Sequence, residues 1–300
     1  MARLPFKTVD VFTKVPFKGN PVAVILDGSA LSAEQMQQIA SWTNLSETTF
    51  IVPVTQAGAD YHVRIFTPGA ELPFAGHPTI GTAHALLEAG MIAPKNGVLV
   101  QQCKAGLITL NVSDGDDGAR SIAFTLPQPA ITPLEDAAAA ELRALLGVDF
   151  KPGMAPLLAD VGPRWVVAQL SSAAAVLACT PDLQRMKAQD IKGRHTGVVI
   201  FGEHGAGLPH GADIEVRAFA PAHGIGEDPV CGSGNGAVAA YIRHVAERGQ
   251  SGDIGGFGAQ LTASQGQVVG RAGVIGLSIG ADAIQVAGNA VTCIDGSLLV

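Results

Sequence analysis

Short apolar runs rich in β-branched residues alternate along the chain with a few segments of helical periodicity. Apolar positions at helical spacing predict four helices, at residues 33–42, 79–89, 135–146 and 236–248. Ser32 is the N-cap of the first, Pro78 opens the second, and Gly90 and Gly249 follow the ends of the second and fourth. Short apolar runs predict strands at residues 8–12, 22–26, 48–53, 62–66, 98–102, 107–112, 121–126, 165–169, 198–201, 214–219, 268–271, 274–279, 283–286 and 291–294.

Two segments of the chain follow the same pattern. Residues 63–68 are Val-Arg-Ile-Phe-Thr-Pro and residues 216–221 are Val-Arg-Ala-Phe-Ala-Pro, and each precedes a loop, a glycine-containing turn and an apolar helix. The offset grows from 153 to 156 residues by the turns, where Ala75-Gly76 aligns with Cys231-Gly232. We therefore predict two similar domains, residues 1–128 and 129–289, with the tail of about 290–300 pairing back onto the first.

The two helices that follow these turns carry no charged residue over residues 79–87 and 236–242. A helix that is apolar on all sides is buried on all sides, and small side chains allow strands to approach it closely. We therefore expect an α+β fold in which each domain wraps a curved mixed sheet around one central helix. An ordinary core helix packed on one face of a sheet is the alternative.

Composition and charge narrow the class of protein. The 300 residues are 47% hydrophobic and 15% charged, 37 of them are glycine, and the net charge is −7. This balance excludes intrinsic disorder and makes nucleic acid an unexpected partner. No apolar run reaches the roughly 18 residues that span a membrane, despite a mean hydropathy of +0.30. The first residues lack the apolar core of a signal peptide, so we expect a cytoplasmic protein without a membrane partner.

Each predicted buried helix begins at a glycine-rich turn, at residues 74–78 and 231–236. The free N–H groups of helix N-termini bind anions, so we expect a small carboxylate substrate. The second turn also fits a dinucleotide fingerprint, but Asp228-Pro229 precedes it instead of an apolar strand. The four cysteines and eight histidines show no zinc-site spacing, and we expect no metal and no organic cofactor.

Several motifs together are highly specific. Residues 44–50 (NLSETTF), 71–79 (ELPFAGHPT) and 226–233 (GEDPVCGS) resemble the phenazine biosynthesis PhzF isomerase family, as do residues 9–13, 19–24 and 286–291. The resemblance covers nearly the whole chain. It implies a fold like that of diaminopimelate epimerase, with two pseudo-symmetric domains and an active site between them. It also implies a possible homodimer.

The resemblance assigns roles to individual residues. Glu47 matches the glutamate that shuttles protons, and His77, Asp228 and Ser233 match its polar partners. The backbone of Gly76 and Gly232 matches positions near the substrate, and His223 is a further substrate-binding candidate. The founding activity of the family is a cofactor-free isomerisation of a dihydro-hydroxyanthranilate, which moves a proton between ring carbons. Removing a proton from carbon requires a base whose pKa lies near the working pH.

Cys231 departs from the family pattern, in which many members have threonine at this position. Residues 224–234 also resemble the GxGExxxCGxG pattern of diaminopimelate epimerase. A cysteine at a helix N-terminus predicts a lowered thiol pKa and a reactive thiol. The opposing position is Ala75, so a racemase with two thiols is not possible here. A small residue that fills a tight turn is the other interpretation of Cys231.

Three functions remain open on the sequence. The main hypothesis is a cofactor-independent isomerase that moves a proton on carbon, with Glu47 as the principal acid and base. The second is an amino-acid-type epimerase that uses Cys231 on one face of the carbon and Glu47 on the other. The third is a non-catalytic binding protein on the same fold.

Overall fold

A computed structural model describes residues 2–115, 118–205, 211–249 and 257–300. The helices are α1 Ala33–Thr43, α2 Gly76–Glu88, α3 Asp136–Leu146, α4 Ala173–Ala178, α5 Leu183–Gly193 and α6 Gly232–Glu247. The strands are β1 Arg3–Val11, β2 Asn20–Ile25, β3 Glu47–Val52, β4 Tyr61–Phe66, β5 Glu71–Leu72, β6 Val98–Cys103, β7 Gly106–Asp114, β8 Arg120–Thr125, β9 Ala130–Pro133, β10 Leu157–Asp160, β11 Arg164–Gln169, β12 Gly197–Glu203, β13 Ile214–Ala220, β14 Ile225–Asp228, β15 Gln260–Gln265, β16 Gly273–Ile279 and β17 Ile284–Leu299.

The chain forms two compact units. The N-terminal unit consists of Met1–Thr125 together with Ala287–Val300, and the C-terminal unit consists of Leu126–Val286. The long strand β17 therefore begins in the C-terminal unit and continues in the N-terminal one.

Strands of the N-terminal unit form a ring. β1 pairs antiparallel with β2 and with β17, β2 pairs parallel with β3, and β3 pairs antiparallel with β4. β4 pairs antiparallel with the short β5 and parallel with β6, which continues antiparallel through β7 to β8. β8 also pairs with β17, and this pairing closes the ring.

Helix α2 packs against β1, β2, β3 and β8 of this ring, and ten of its 13 residues are buried. Small residues make the close approach possible. A Cβ atom on Gly81 would collide with the side chains of Val22 and Val11 on the surrounding strands.

The C-terminal unit repeats this strand order. β10 and β11 are antiparallel, β11 and β12 parallel, and β12 and β13 antiparallel. β13 pairs antiparallel with the short β14 and parallel with β15, which pairs antiparallel with β16. Helix α6 packs against β9 to β12 and β16, and 11 of its 16 residues are buried. The predicted α+β class with a wrapped central helix is therefore confirmed.

Five predicted elements differ from the structure. α2 begins at Gly76 and not at residue 79, and α6 at Gly232 and not at residue 236, because the glycine-rich turns continue into the helices. No strand forms at residues 268–271, where the sequence predicted one: a 3-10 helix, Gln267–Val269, lies here between Gly266 and Gly270, which both have positive φ. The two strands predicted at the C-terminus are one continuous strand, β17. Strands β5, β9, β10, β14 and β15 and helices α4 and α5 were not predicted.

Within the part of the chain that the structure describes, no helix is long and apolar enough to cross a membrane.

Candidate active site

Glu47 and His77 meet at the start of the buried helix of the N-terminal unit. Glu47 is the first residue of β3 and lies beside Val22 of β2 in parallel register. His77 is the second residue of α2. Its Nδ1 atom lies 3.2 Å from Oε2 of Glu47, and only 7% and 15% of the two side chains are exposed. The structure therefore brings together two of the residues that the sequence singles out.

The imidazole of this pair is neutral at neutral pH. Burial lowers the pKa of His77 to about 4, against an opposing effect of a hydrogen bond to the backbone of Pro21. The hydrogen bond to Pro21 fixes the ring, and the neutral ring packs against the Glu47 carboxylate without itself carrying charge.

Gly76 allows α2 to begin where it does. A Cβ atom at this position would collide with the ring of Phe124, which packs edge-on against Phe74 at a centroid distance of 5.6 Å. The N-cap residue, Ala75, makes no side-chain hydrogen bond to the helix. The first N–H groups of α2 therefore receive no capping from the Ala75 side chain.

Asp228 and Cys231 form the corresponding site of the C-terminal unit. Asp228 is the last residue of β14, and its Oδ1 accepts a hydrogen bond of 3.1 Å from the Val230 N–H. Cys231 is the N-cap of α6, and its Sγ accepts a bond of 3.3 Å from the Gly234 N–H. Burial raises the pKa of Asp228 to about 6, while hydrogen bonds from the Cys231 thiol and the Val230 N–H oppose this rise.

The prediction that the helix N-terminus lowers the thiol pKa of Cys231 is wrong. Burial raises the pKa of Cys231 well above its ordinary value, and the neighbouring Asp228 carboxylate adds to the rise. Hydrogen bonds with Ser233 and Gly234 act in the opposite direction but do not compensate. The thiol is therefore protonated at neutral pH and donates toward Asp228.

Ser233, the second residue of α6, is held by a tryptophan. Its hydroxyl oxygen accepts a hydrogen bond of 3.1 Å from Nε1 of Trp165 and lies 3.6 Å from Sγ of Cys231. Trp165 comes from β11, 68 residues earlier, and is 2% exposed. The sequence predicted a strand here but no role for this side chain.

Gln265 supports the same turn from β15. Its Oε1 accepts hydrogen bonds from the Cys231 N–H at 3.1 Å and from Nδ2 of Asn235 at 2.7 Å. Its Nε2 donates to the backbone carbonyl of Asp228 at 2.9 Å. One amide side chain thus connects the end of β14 to the start of α6, and sequence reasoning missed it because no local motif includes it.

The last two predicted residues differ in their surroundings. Gly232 is the buried first residue of α6, next to Cys231 and Ser233. His223 is exposed and ends a 3-10 helix, Pro221–His223. It lines a cavity of about 390 Å³ together with Arg164, Asp190, Arg194 and His195. Among the residues that the structure describes, no hydrogen bond joins His223 to Asp228, Cys231 or Ser233.

The solved structures that resemble this chain define its class. A PhzF-family phenazine biosynthesis protein from Bacillus anthracis matches with a TM-score of 0.84 and 24% identity over 100% of both chains. A hydroxyproline epimerase from Agrobacterium vitis matches with a TM-score of 0.59 and 15% identity over 99% of this chain and 92% of that one. The fold is that of the PhzF and proline racemase-like epimerases.

The chain belongs to the phenazine biosynthesis-like (PhzC/PhzF) family, whose sequence model matches residues 9–296. Trans-2,3-dihydro-3-hydroxyanthranilate isomerase of Pseudomonas aeruginosa is 34% identical over 97% of this chain and 98% of its own. Antisense-enhancing sequence 1 of Schizosaccharomyces pombe is 40% identical over 100% of both. The relationship to this family of isomerases identifies the chain as an isomerase.

Proposed function

We propose that this isomerase moves a proton between carbon atoms of a small carboxylated substrate without a cofactor, and that Glu47 is its principal acid and base. The observation that carries the proposal is the 3.2 Å contact between Glu47 and a buried, neutral His77. The name of the Pseudomonas aeruginosa relative supports the substrate class, because dihydro-hydroxyanthranilate is a small carboxylate.

In the first step the Glu47 carboxylate takes a proton from a substrate carbon. The electron pair of the broken C–H bond passes into the conjugated system of the substrate, and Glu47 becomes a carboxylic acid. In the second step this acid, whose proton has exchanged with solvent, gives a proton to a different carbon and becomes a carboxylate again. The substrate gains and loses no atoms, so the product is an isomer.

His77 positions the base in this scheme and does not exchange the proton itself. Its pKa of about 4 keeps the ring neutral above pH 5. The Nδ1 atom lies 3.2 Å from Oε2 of Glu47, so the buried ring restricts the positions that the carboxylate can take. A fixed carboxylate orientation lowers the entropy cost of reaching the reactive geometry.

Asp228 is the second acid that we propose for the reaction. Its pKa of about 6 lies within reach of neutral pH, so the side chain can hold or release a proton under working conditions. Cys231, with a raised thiol pKa, is better suited to capping α6 than to removing a proton from carbon. This difference favours the isomerase over the epimerase in which Cys231 and Glu47 act on opposite faces.

Deuterium uptake tests the proposal. Trans-2,3-dihydro-3-hydroxyanthranilate and a panel of small carboxylates are incubated with the enzyme in D2O, and deuterium at carbon is measured by mass spectrometry. We expect uptake with at least one compound and its loss in Glu47→Gln, while the exposed Glu34→Gln retains it. Unchanged uptake in Glu47→Gln contradicts the role of Glu47, and no uptake with any compound contradicts the substrate class.

A cytoplasmic location and a homodimer, both expected from the sequence, stay proposals. Analytical ultracentrifugation of the purified chain tests the second. A sedimentation coefficient of a 30.6 kDa particle at all concentrations contradicts the dimer.

A further inference from the structure

Each unit contains one arginine–glutamate pair of the same geometry. In the N-terminal unit Arg64 of β4 donates from Nε to Oε1 of Glu71 at 2.7 Å and from Nη2 to Oε2 at 3.0 Å. In the C-terminal unit Arg217 of β13 donates from Nε to Oε1 of Glu227 at 2.9 Å and from Nη2 to Oε2 at 2.8 Å. Such paired bonds fix the orientation of both side chains.

The two pairs are equivalent in the duplicated fold. Arg64 and Arg217 are the arginines of the repeated Val-Arg-x-Phe-x-Pro pattern, 153 residues apart. Glu71 and Glu227 are 156 residues apart, the same offset that separates His77 from Ser233.

Both pairs lie in the same structural setting. Each arginine also stacks on the phenylalanine two residues later, at 5.1 Å from the ring centroid of Phe66 and 5.0 Å from that of Phe219. Each glutamate belongs to the short strand that leads to the start of the buried helix. Both pairs therefore hold that strand against the strand that carries the arginine.

The pair of the C-terminal unit differs in burial and in its neighbour. The side chain of Arg217 is 5% exposed, and its Nη1 also donates to the backbone carbonyls of Val176 and Cys179 at 3.0 and 2.6 Å. Glu227 directly precedes Asp228, and the charge of Glu227 contributes to the raised pKa of Asp228. The side chain of Arg64 is 27% exposed, and Glu71 lies six residues before His77.

We propose that Arg217 is a positioning residue that acts through Glu227: it fixes the end of β14 and keeps the negative charge of Glu227 paired beside the Asp228 carboxyl group. The titratable groups that act on Asp228 are then Glu227, which Arg217 neutralises, and the Cys231 thiol at the start of α6. The inference rests on the proposed function only in giving Asp228 a part in proton transfer.

Direct titration of Asp228 tests this inference without any substrate. The protein is labelled with ¹³C at aspartate carboxyl groups, and the Asp228 signal, assigned by its absence in Asp228→Asn, is followed by NMR against pH. Glu227→Gln removes a neighbouring negative charge, so the Asp228 midpoint falls by about 0.5 to 1 pH unit. Arg217→Gln leaves that charge unpaired, so the midpoint rises by a similar amount.

Further variants separate this effect from general damage to the fold. Arg217→Lys keeps the positive charge, so its Asp228 midpoint stays close to the parent value. The double variant Arg217→Gln/Glu227→Gln removes both charges, so its Asp228 midpoint returns toward the parent value. Arg64→Gln and Glu71→Gln change the equivalent pair and leave the Asp228 midpoint unchanged. Shifts of the same sign in Arg217→Gln and Glu227→Gln, or none in either, overturn the inference.

The same variants keep the inference distinct from the proposed function. If the Asp228 midpoint moves as expected but the pH profile of deuterium uptake does not follow it, Asp228 has no part in the reaction while the positioning role of Arg217 stands. If Arg217→Gln fails to fold, the fall of the Asp228 midpoint in Glu227→Gln and its return toward the parent value in the double variant decide the question.

Discussion

The starts of α2 and α6 occupy equivalent positions in two units of the same strand order, and they carry different chemistry. At α2 a carboxylate from β3 meets an imidazole, and the N-cap Ala75 contributes no side-chain bond. At α6 the thiol of Cys231 caps the helix beside Asp228, and Trp165 holds the Ser233 hydroxyl. The two units share their strand order and the arginine–glutamate pair, while the groups at the helix starts differ.

This difference bears on which side chains can exchange protons. Burial acts on both sites, and it lowers the pKa of His77 while it raises that of Cys231. Both side chains are therefore held neutral near pH 7. The carboxyl groups of Glu47 and Asp228 are therefore the groups that we propose for proton exchange at the two helix starts.

The largest effect on stability is expected where a glycine of α2 faces stiff side chains. Gly81→Ala places a methyl group against the β-branched Val22 and Val11, and we expect a loss of about 2–4 kcal/mol in the free energy of unfolding. In α6 the methyl group of Gly236→Ala meets the more flexible side chain of Leu126, so we expect a smaller loss of unfolding free energy. Urea denaturation measures both, with Gly69→Ala, whose Cβ meets nothing within 4 Å, as the neutral control. Equal losses in α2 and α6 would contradict this ranking.

The next largest effect on stability is expected at buried charged side chains. In the N-terminal unit the buried Lys7 pairs with Glu88 and Asp295 at 2.8 and 2.7 Å. In the C-terminal unit Oδ2 of the buried Asp190 has no hydrogen-bond partner among the described residues, and burial raises the pKa of Asp190 to about 7. The unfolded chain loses this proton near pH 4, so the folded state loses stability as the pH rises from about 4 to 7.

Asp190→Asn removes this penalty. We expect the variant to gain about 2 kcal/mol of unfolding free energy at pH 8 and close to nothing at pH 4. Chemical denaturation at the two pH values measures the difference, and the exposed Asp149→Asn serves as the control. A gain of the same size at both pH values would show that the Asp190 carboxyl is not the titrating group.

A smaller effect is expected at the helix start of the C-terminal unit. Trp165→Phe keeps an aromatic ring in the core but removes the N–H group whose hydrogen bond Ser233 accepts, so we expect a loss of about 1 kcal/mol in the free energy of unfolding.

The chain has two tryptophans, and the other, Trp42, is 80% exposed. In a Trp42→Phe background the emission of Trp165 alone reports on this site. Emission at the wavelength of a water-exposed indole would contradict the buried position of Trp165.

The parts of the fold that local sequence determines were predictable. Ser32 and Gln35 form a capping box at the start of α1, where the sequence places an N-cap. The repeated Val-Arg-x-Phe-x-Pro pattern and the charge-free helices predicted a duplicated α+β fold. The helix starts at Gly76 and Gly232 were placed too late, because glycine has low helix propensity and burial against the strands overrides it.

Contacts made over long separations were not predictable. Trp165 lies 68 residues from Ser233, and Gln265 lies 34 residues from Cys231, so no motif unites them. The same limit explains the error about the Cys231 thiol. Its place at a helix N-terminus is a local property, whereas the burial and the Asp228 contact that raise its pKa depend on the folded chain.

The most direct test of the central claim compares the two helix starts in one assay. The rate of deuterium uptake from D2O into a small carboxylate that exchanges in the panel is measured for the parent, Glu47→Gln and Cys231→Ser. With Glu47 as the base, Glu47→Gln loses a factor of about 10² to 10⁴. Cys231→Ser, which keeps a capping side chain, stays within about threefold of the parent. Loss of uptake in Cys231→Ser with little change in Glu47→Gln would contradict the account.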